Sequence, residues 1–144
     1  MYFVDREKIE QTLIYLEDLV QLFESQKWVT SVEQKAVERI VHMIIESILD
    51  VGNAMIDGFI MRDPGSFEDI IDILEDEKVI RENDANALKE VIPFRKQLVQ
   101  HYLTINHEEM IQTINKQISA LKCFPLQIRS YIENELGPVS AFRK

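Results

Sequence analysis

SVEQKAVERIVHMIIESILDVGNAMIDGFIM, residues 31–61, holds no proline and has only Gly52 and Gly58 inside it. Its apolar residues recur at the helical period: Ile44, Ile45, Ile48, Val51, Met55, Ile56 and Phe59 fall on one side. Glu46, Asp50, Asn53 and Asp57 fall within about 40° of Arg39 on the other side, with His42 at the edge. One long amphipathic helix is predicted, ended by the stop signals of Asp63-Pro64-Gly65. A helix of this length with one apolar face needs partners to cover that face, so the fold class is all-α.

The flanking segments supply those partners. Ile9, Leu13, Leu16, Val20 and Phe23 step by three or four residues behind Asp5, a predicted N-cap. A break follows at Lys27 to Thr30, with Trp28 expected to be packed. Ser66 caps a third predicted helix containing Phe67, Ile70, Ile71 and Leu74, with Asp69 in its first turn. Asn83 or Asp84 is expected to cap a fourth segment, from Leu88 to Tyr102 and Ile105, which Pro93 kinks or restarts. Asn106 with Glu109 resembles a capping box, opening a fifth helix whose stripe is Met110, Ile114, Ile118 and Leu121. Pro125 is expected in the first turn of a last helix ending at Leu136-Gly137-Pro138. The prediction is an up-and-down antiparallel bundle of about five or six helices with short loops, a single domain spanning residues 1–144.

Composition excludes several classes. With 144 residues, 46% apolar and 28% charged, the chain has an ordinary globular balance. Four glycines and four prolines are too few for an all-β fold rich in turns. No apolar run is long enough for a transmembrane helix. Asp5, Arg6, Glu7 and Lys8 leave no room for a signal peptide's apolar stretch. A lone cysteine, Cys123, forms no internal disulfide and points to a reducing, cytoplasmic setting; between Leu121 and Phe124 it reads as a small packed hydrophobe. The net charge of −9 disfavours loose attraction to nucleic acid or an anionic membrane. The charge is uneven: from Lys116 to Lys144 five basic residues face two acidic ones.

The informative residues are polar ones where the period asks for apolar ones. Arg95 falls near the middle of the stripe running Leu88, Val91/Ile92, Leu98/Val99 and Tyr102. A guanidinium there is costly unless paired, so it meets either an internal carboxylate or a ligand. Tyr102 shares nearly the same face and reads first as a packed tyrosine. His101 is about 100° around from it and has the chemistry of a base near neutral pH. The polar stripe of the long helix is either a solvated face or the wall of a cleft formed by Glu46, Asp50 and Asn53. His42 and Glu46 have i,i+4 spacing, but no further histidine or cysteine stands at ligand spacing, so no metal site is expected. There is no phosphate loop, no serine nucleophile elbow and no cysteine pair, and nothing calls for a cofactor.

The stretch Phe94-Arg95-Lys96-Gln97-Leu98-Val99-Gln100-His101-Tyr102 resembles the signature of the HepT-like toxins, small helical ribonucleases of the HEPN superfamily. In that signature a histidine follows the arginine after four residues, and a tyrosine follows after one more. Glu38-Arg39 with Ile45-Glu46-Ser47-Ile48-Leu49-Asp50-Val51-Gly52-Asn53 resembles the family's long helix, and Pro64-Gly65-Ser66-Phe67 with Ile73-Leu74 its next. The resemblance implies a HEPN-like bundle that dimerises, brings two motifs to one cleft and cleaves RNA without metal. Arg95 would hold the scissile phosphate, and a histidine would assist proton transfer. A minimal nucleotidyltransferase antitoxin, MntA, would silence the toxin by adding AMP to Tyr102. The sequence departs at one place. Gln100 occupies the family's histidine position and His101 stands one place later, which fits only the looser spacing of the superfamily.

Two functions are consistent with these residues. One is a metal-independent endoribonuclease with Arg95 and His101 catalytic, Gln100 supporting and Tyr102 a modification site. The alternative is a catalytically weakened or inactive relative that binds RNA or protein as a dimeric regulatory module.

Overall fold

The computed structural model describes residues 2–137. The chain forms α1 (Arg6–Glu24), α2 (Ser31–Gly58), α3 (Phe67–Asp76), α4 (Glu82–Val91), α5 (Phe94–Val99), α6 (His107–Lys116) and α7 (Ile118–Leu136), with a 3-10 turn at Tyr102–Thr104. No strand occurs among the described residues. With α4 and α5 counted as one helix broken at Pro93, the bundle has six helices, as the periodicity predicts.

α2 is the spine. α1 packs along it, α3 and α5 dock on it, and α7 closes against α1 and α4. The core joins Ile9, Leu13, Leu16, Val20 and Phe23 of α1 to Val37, Val41, Ile44, Ile45 and Ile48 of α2, all buried. Trp28 is buried in the α1–α2 connection, and its indole N–H donates to the Phe23 carbonyl at 3.1 Å. Helix starts are set by side chains that satisfy free backbone N–H groups. Asp5 accepts from Lys8, Thr30 forms a capping box with Glu33, Ser66 accepts from Asp69 and Asn106 accepts from Glu109. Arg129 of α7 makes paired hydrogen bonds to Glu10 and Glu17 of α1, clasping the two ends of the chain together.

Five local expectations are corrected. α2 stops at Gly58 rather than Met61, because Ile60 turns to a left-handed φ of 56° and breaks the ladder. α4 begins after Arg81 without a side-chain cap, so Asn83 and Asp84 lie inside its first turn, where the Asp84 carboxylate accepts from the Gln127 amide of α7 at 2.9 Å. α5 ends at Val99, so Tyr102 and Ile105 lie beyond the helix and the shared face of Arg95 and Tyr102 does not exist. The last helix begins at Ile118, and Pro125 sits inside it, buried. Gln117 ends α6 and starts α7, which splits the Met110–Leu121 stripe between two helices. At the chain end Gly137 closes α7 with φ 79°, while Pro138, Arg143 and Lys144 lie outside the described residues.

Gly52 decides how closely α3 approaches α2. A Cβ built there would collide with Ile70 Cγ2 of α3, a stiff, buried, β-branched neighbour. Gly52→Ala is expected to lower stability by about 1–2 kcal/mol, overpacking outweighing the gain in helix propensity. A lower melting temperature by circular dichroism checks this, and an unchanged or higher one refutes the close contact.

Candidate active site

The site begins with where α5 places Arg95. Pro93 lacks the N–H that would continue α4 and takes the N-cap position of α5, so the chain restarts there. Phe94 is buried and anchors α5, which turns Arg95 toward α2. The Arg95 Nε donates to Glu46 Oε1 at 2.5 Å, with about a quarter of each side chain exposed (26% and 24%). The guanidinium carbon lies 4.4 Å above the centre of the Phe67 ring at the start of α3, a cation–π contact. Arg95 is therefore paired with an internal carboxylate, as burial demands. Yet only Nε is engaged: among the described residues no hydrogen bond takes its two Nη atoms. Those atoms form the edge that grips a phosphate or carboxylate in two places at once.

Glu46 faces two basic side chains. The oxygen that accepts from Arg95 is also 3.5 Å from His42 Nε2, one helical turn earlier on α2. Asp50, one turn later, is exposed to solvent. Burial by its surroundings and then the charge of Glu46 push its carboxyl above the ordinary 3.8, against the pull of Lys8 and Arg95. The polar stripe of α2 thus joins Arg95 at Glu46 and Asp50. Asn53, further along, is exposed, and no side-chain contact brings it to Arg95.

The three residues after α5 are placed differently from a helical continuation. Gln100 caps α5 and is exposed, lining a cavity that Arg95 also lines. His101 is exposed, and its backbone N–H bonds back to the carbonyls of Lys96 and Gln97 at 3.2 and 3.1 Å. Tyr102 is 62% exposed, not packed as the stripe suggested, because the helix stops three residues before it. Val99 and Leu103 beside it are also exposed, Leu103 at 88%. Among the described residues no group of three or more His, Cys, Asp and Glu is gathered to hold a metal ion. No described helix is long and apolar enough to cross a membrane.

Two features were invisible in the linear pattern. Phe67 reads as one more apolar residue of α3, although its ring is 46% exposed and supports Arg95. His107 Nε2 meets Glu38 Oε2 at 2.8 Å from a distant point in the chain. Neither pairing follows from spacing, because each joins helices far apart in sequence. The one available signal was a pair of compensating oddities: a basic residue on an apolar stripe, and an acidic stripe on the spine helix.

The family described as Ribonuclease HepT-like matches residues 9–128. The chain belongs to the HepT-like ribonuclease family. The Bacillus subtilis (strain 168) protein named "Putative RNase YutE" is 55% identical over 144 residues, covering 99% of this chain and 100% of that protein. The solved structure of the cytosolic protein YutE from Bacillus subtilis superposes with a TM-score of 0.95, again at 55% identity, covering 99% of this chain and 100% of that one. A structure of the tri-AMPylated Shewanella oneidensis HEPN toxin in complex with MNT antitoxin matches with a TM-score of 0.75 at 16% identity, covering 85% of this chain and 96% of the other. That last likeness shows the fold alone: this HepT-like chain has the same helical bundle as that toxin.

The raised Asp50 carboxyl has a consequence for stability. A carboxyl that holds its proton more tightly folded than unfolded contributes stability at low pH. The contribution is full below the ordinary 3.8 and is lost as the pH rises through the higher folded value. Asp50→Asn is expected to raise the melting temperature at pH 7 and leave it unchanged near pH 3. The gain is a fraction of a kcal/mol, since water screens an exposed group. A variant that melts with the native protein at both pH values refutes the raised Asp50 carboxyl.

Proposed function

We propose that this chain is a metal-independent endoribonuclease toxin of the HepT kind, working as a homodimer in the cytoplasm and held silent by a minimal nucleotidyltransferase antitoxin. The observation that carries the reading is Arg95. Its Nε is tied to Glu46 and its plane rests on Phe67, while among the described residues no hydrogen bond takes its Nη edge, in a member of a ribonuclease family. A guanidinium fixed in advance stabilises the charge that develops on a phosphate without reorganising during the reaction. His101 exchanges the proton of the ribose 2′-hydroxyl or of the leaving oxygen, and Gln100 supports the bound RNA by hydrogen bonds. Glu46, Asp50 and Asn53 form one wall of the cleft.

Dimerisation is supported by the apolar surface that Val99, Tyr102 and Leu103 leave exposed beside the motif. A second copy covering it would bring two Arg95 residues toward one cleft. Control by an antitoxin is supported by the exposure of Tyr102, and by a HEPN toxin of the same fold that is AMPylated and bound to an MNT antitoxin. In that step the Tyr102 phenol oxygen attacks the α-phosphorus of ATP, pyrophosphate leaves and the phenol proton passes to a base. The bulky anion then sits three residues past α5 and competes with RNA for the cleft.

One observation favours a second reading. Gln100 shares the Arg95 cavity at the place where the family has its histidine, and an amide cannot titrate. On that reading the protein binds RNA or a protein partner without cutting.

The decisive measurement is RNA cleavage by the purified protein in excess chelator. Cleavage is expected, with Arg95→Ala lowering the rate about 100-fold or more and His101→Ala by a similar factor. Cleavage that persists unchanged in both variants refutes the catalytic assignment. Cleavage only after Gln100→His establishes the binding module. Incubation with ATP and a nucleotidyltransferase antitoxin is expected to add AMP to the native chain, and one AMP fewer to Tyr102→Phe, read by mass spectrometry.

A further inference from the structure

A cavity of about 320 Å³ opens where the first turn of α3 faces α5, and Arg95 forms one side of it. Ser66, Phe67, Lys96 and Gln100 line it as well, with Glu68 as the acidic member. Its volume is at the small end of ligand sites, enough for one nucleotide rather than a folded element.

The lining has the chemistry of a nucleotide site. The Phe67 ring is half-exposed in a turn whose neighbours Ile70, Ile71 and Leu74 are buried, so the core does not require it. One ring face is covered by the Arg95 guanidinium at 4.4 Å, and Glu46 fixes that guanidinium in place through Nε. The result is a rigid two-layer platform. The outer face of a guanidinium plane stacks on an unpaired base as an aromatic ring does. Lys96 is exposed on the next position of α5 and supplies a charge for a phosphate; Lys89, which also lines the cavity, is already held by Asp72 at 2.7 Å. The Gln100 amide offers both a donor and an acceptor, the pair that reads a base edge.

We infer that this cavity is a one-nucleotide subsite for single-stranded RNA, flanking the phosphate that Arg95 holds. The base stacks on the Arg95–Phe67 platform, Gln100 contacts its edge, and Lys96 meets the adjoining phosphate. Duplex RNA cannot use the platform, because its bases are already stacked on one another. This assignment rests on Arg95 as the phosphate-holding residue, and it gives Gln100 a binding role at the position where the family has its histidine.

The test is fluorescence anisotropy with a labelled single-stranded RNA, 2′-O-methylated so that it cannot be cut, alongside its duplex and a cleavage assay on unmodified RNA. The native protein is expected to bind the single strand about tenfold more tightly than the duplex. Phe67→Leu is expected to weaken binding at least about fivefold and Phe67→Tyr to restore it, because the ring holds the Arg95 plane on which the base stacks. Lys96→Gln is expected to weaken binding and lower the salt dependence by about one phosphate contact. An abasic residue scanned along the RNA is expected to find one position that weakens the native protein and not Phe67→Leu. Phe67 is half-exposed and Lys96 exposed, so neither change disturbs the core; melting curves confirm it. If Phe67→Leu and Lys96→Gln bind like the native protein while unmodified RNA is cut, the subsite is overturned and the ribonuclease reading stands. If the native protein neither binds nor cuts RNA, both are overturned.

Discussion

A guanidinium on the inner side of a helix has to be paired, and the geometry around Arg95 follows from that requirement. Glu46 accepts from Nε and the Phe67 ring lies under the plane, so α5 is tied at one point to both α2 and α3. Neither contact uses the Nη edge. The arrangement offsets the cost of bringing the charge in from water while leaving its phosphate-gripping side unsatisfied. A surface arginine would avoid the cost but would lose rigidity, and a fully enclosed ion pair would have no donor left to offer.

The remaining architecture serves that point. α2 is long enough to bury an apolar face against α1 and still present Glu46, His42 and Asp50 along one side. Gly52 lets α3 lie close enough to α2 for Phe67 to reach the guanidinium. Pro93 ends α4 and restarts the chain as a short helix, and that helix stops at Val99, freeing Tyr102 and Leu103 to project. A longer α5 would have carried Tyr102 back onto the bundle. The acidic side of α2 has its own cost: Asp50 ionises less readily, first because its surroundings keep water from it and then because Glu46 stands beside it. Charge is concentrated here at some expense to stability, a pattern common at functional sites.

Much of this was legible in the linear sequence. The period of α1 and α2, the caps Asp5, Ser66 and Asn106, and the break at Pro93 are local properties, set within a turn or two of backbone. Arg95 stood out because it violated its stripe, and Glu46 and Asp50 because they shared a polar face. The misread boundaries were not legible from the apolar period alone. Asp84 lies inside α4 rather than at its cap, and its carboxylate accepts from Gln127 of α7. Gln117 breaks a continuous apolar stripe where α6 turns into α7, and α7 tolerates Pro125 in its interior.

What the sequence by itself determined is the helical class, the spine, and the identity of one misplaced charge, because hydrophobic period and capping act over a few residues. The tertiary structure decided which carboxylate meets that charge, which aromatic ring supports it, and which of Gln100, His101 and Tyr102 faces the cavity. Those pairings join residues far apart in the chain, as Arg95 and Glu46 are. No periodicity along one helix encodes how another helix is rotated against it; only the packing of the whole core sets that angle.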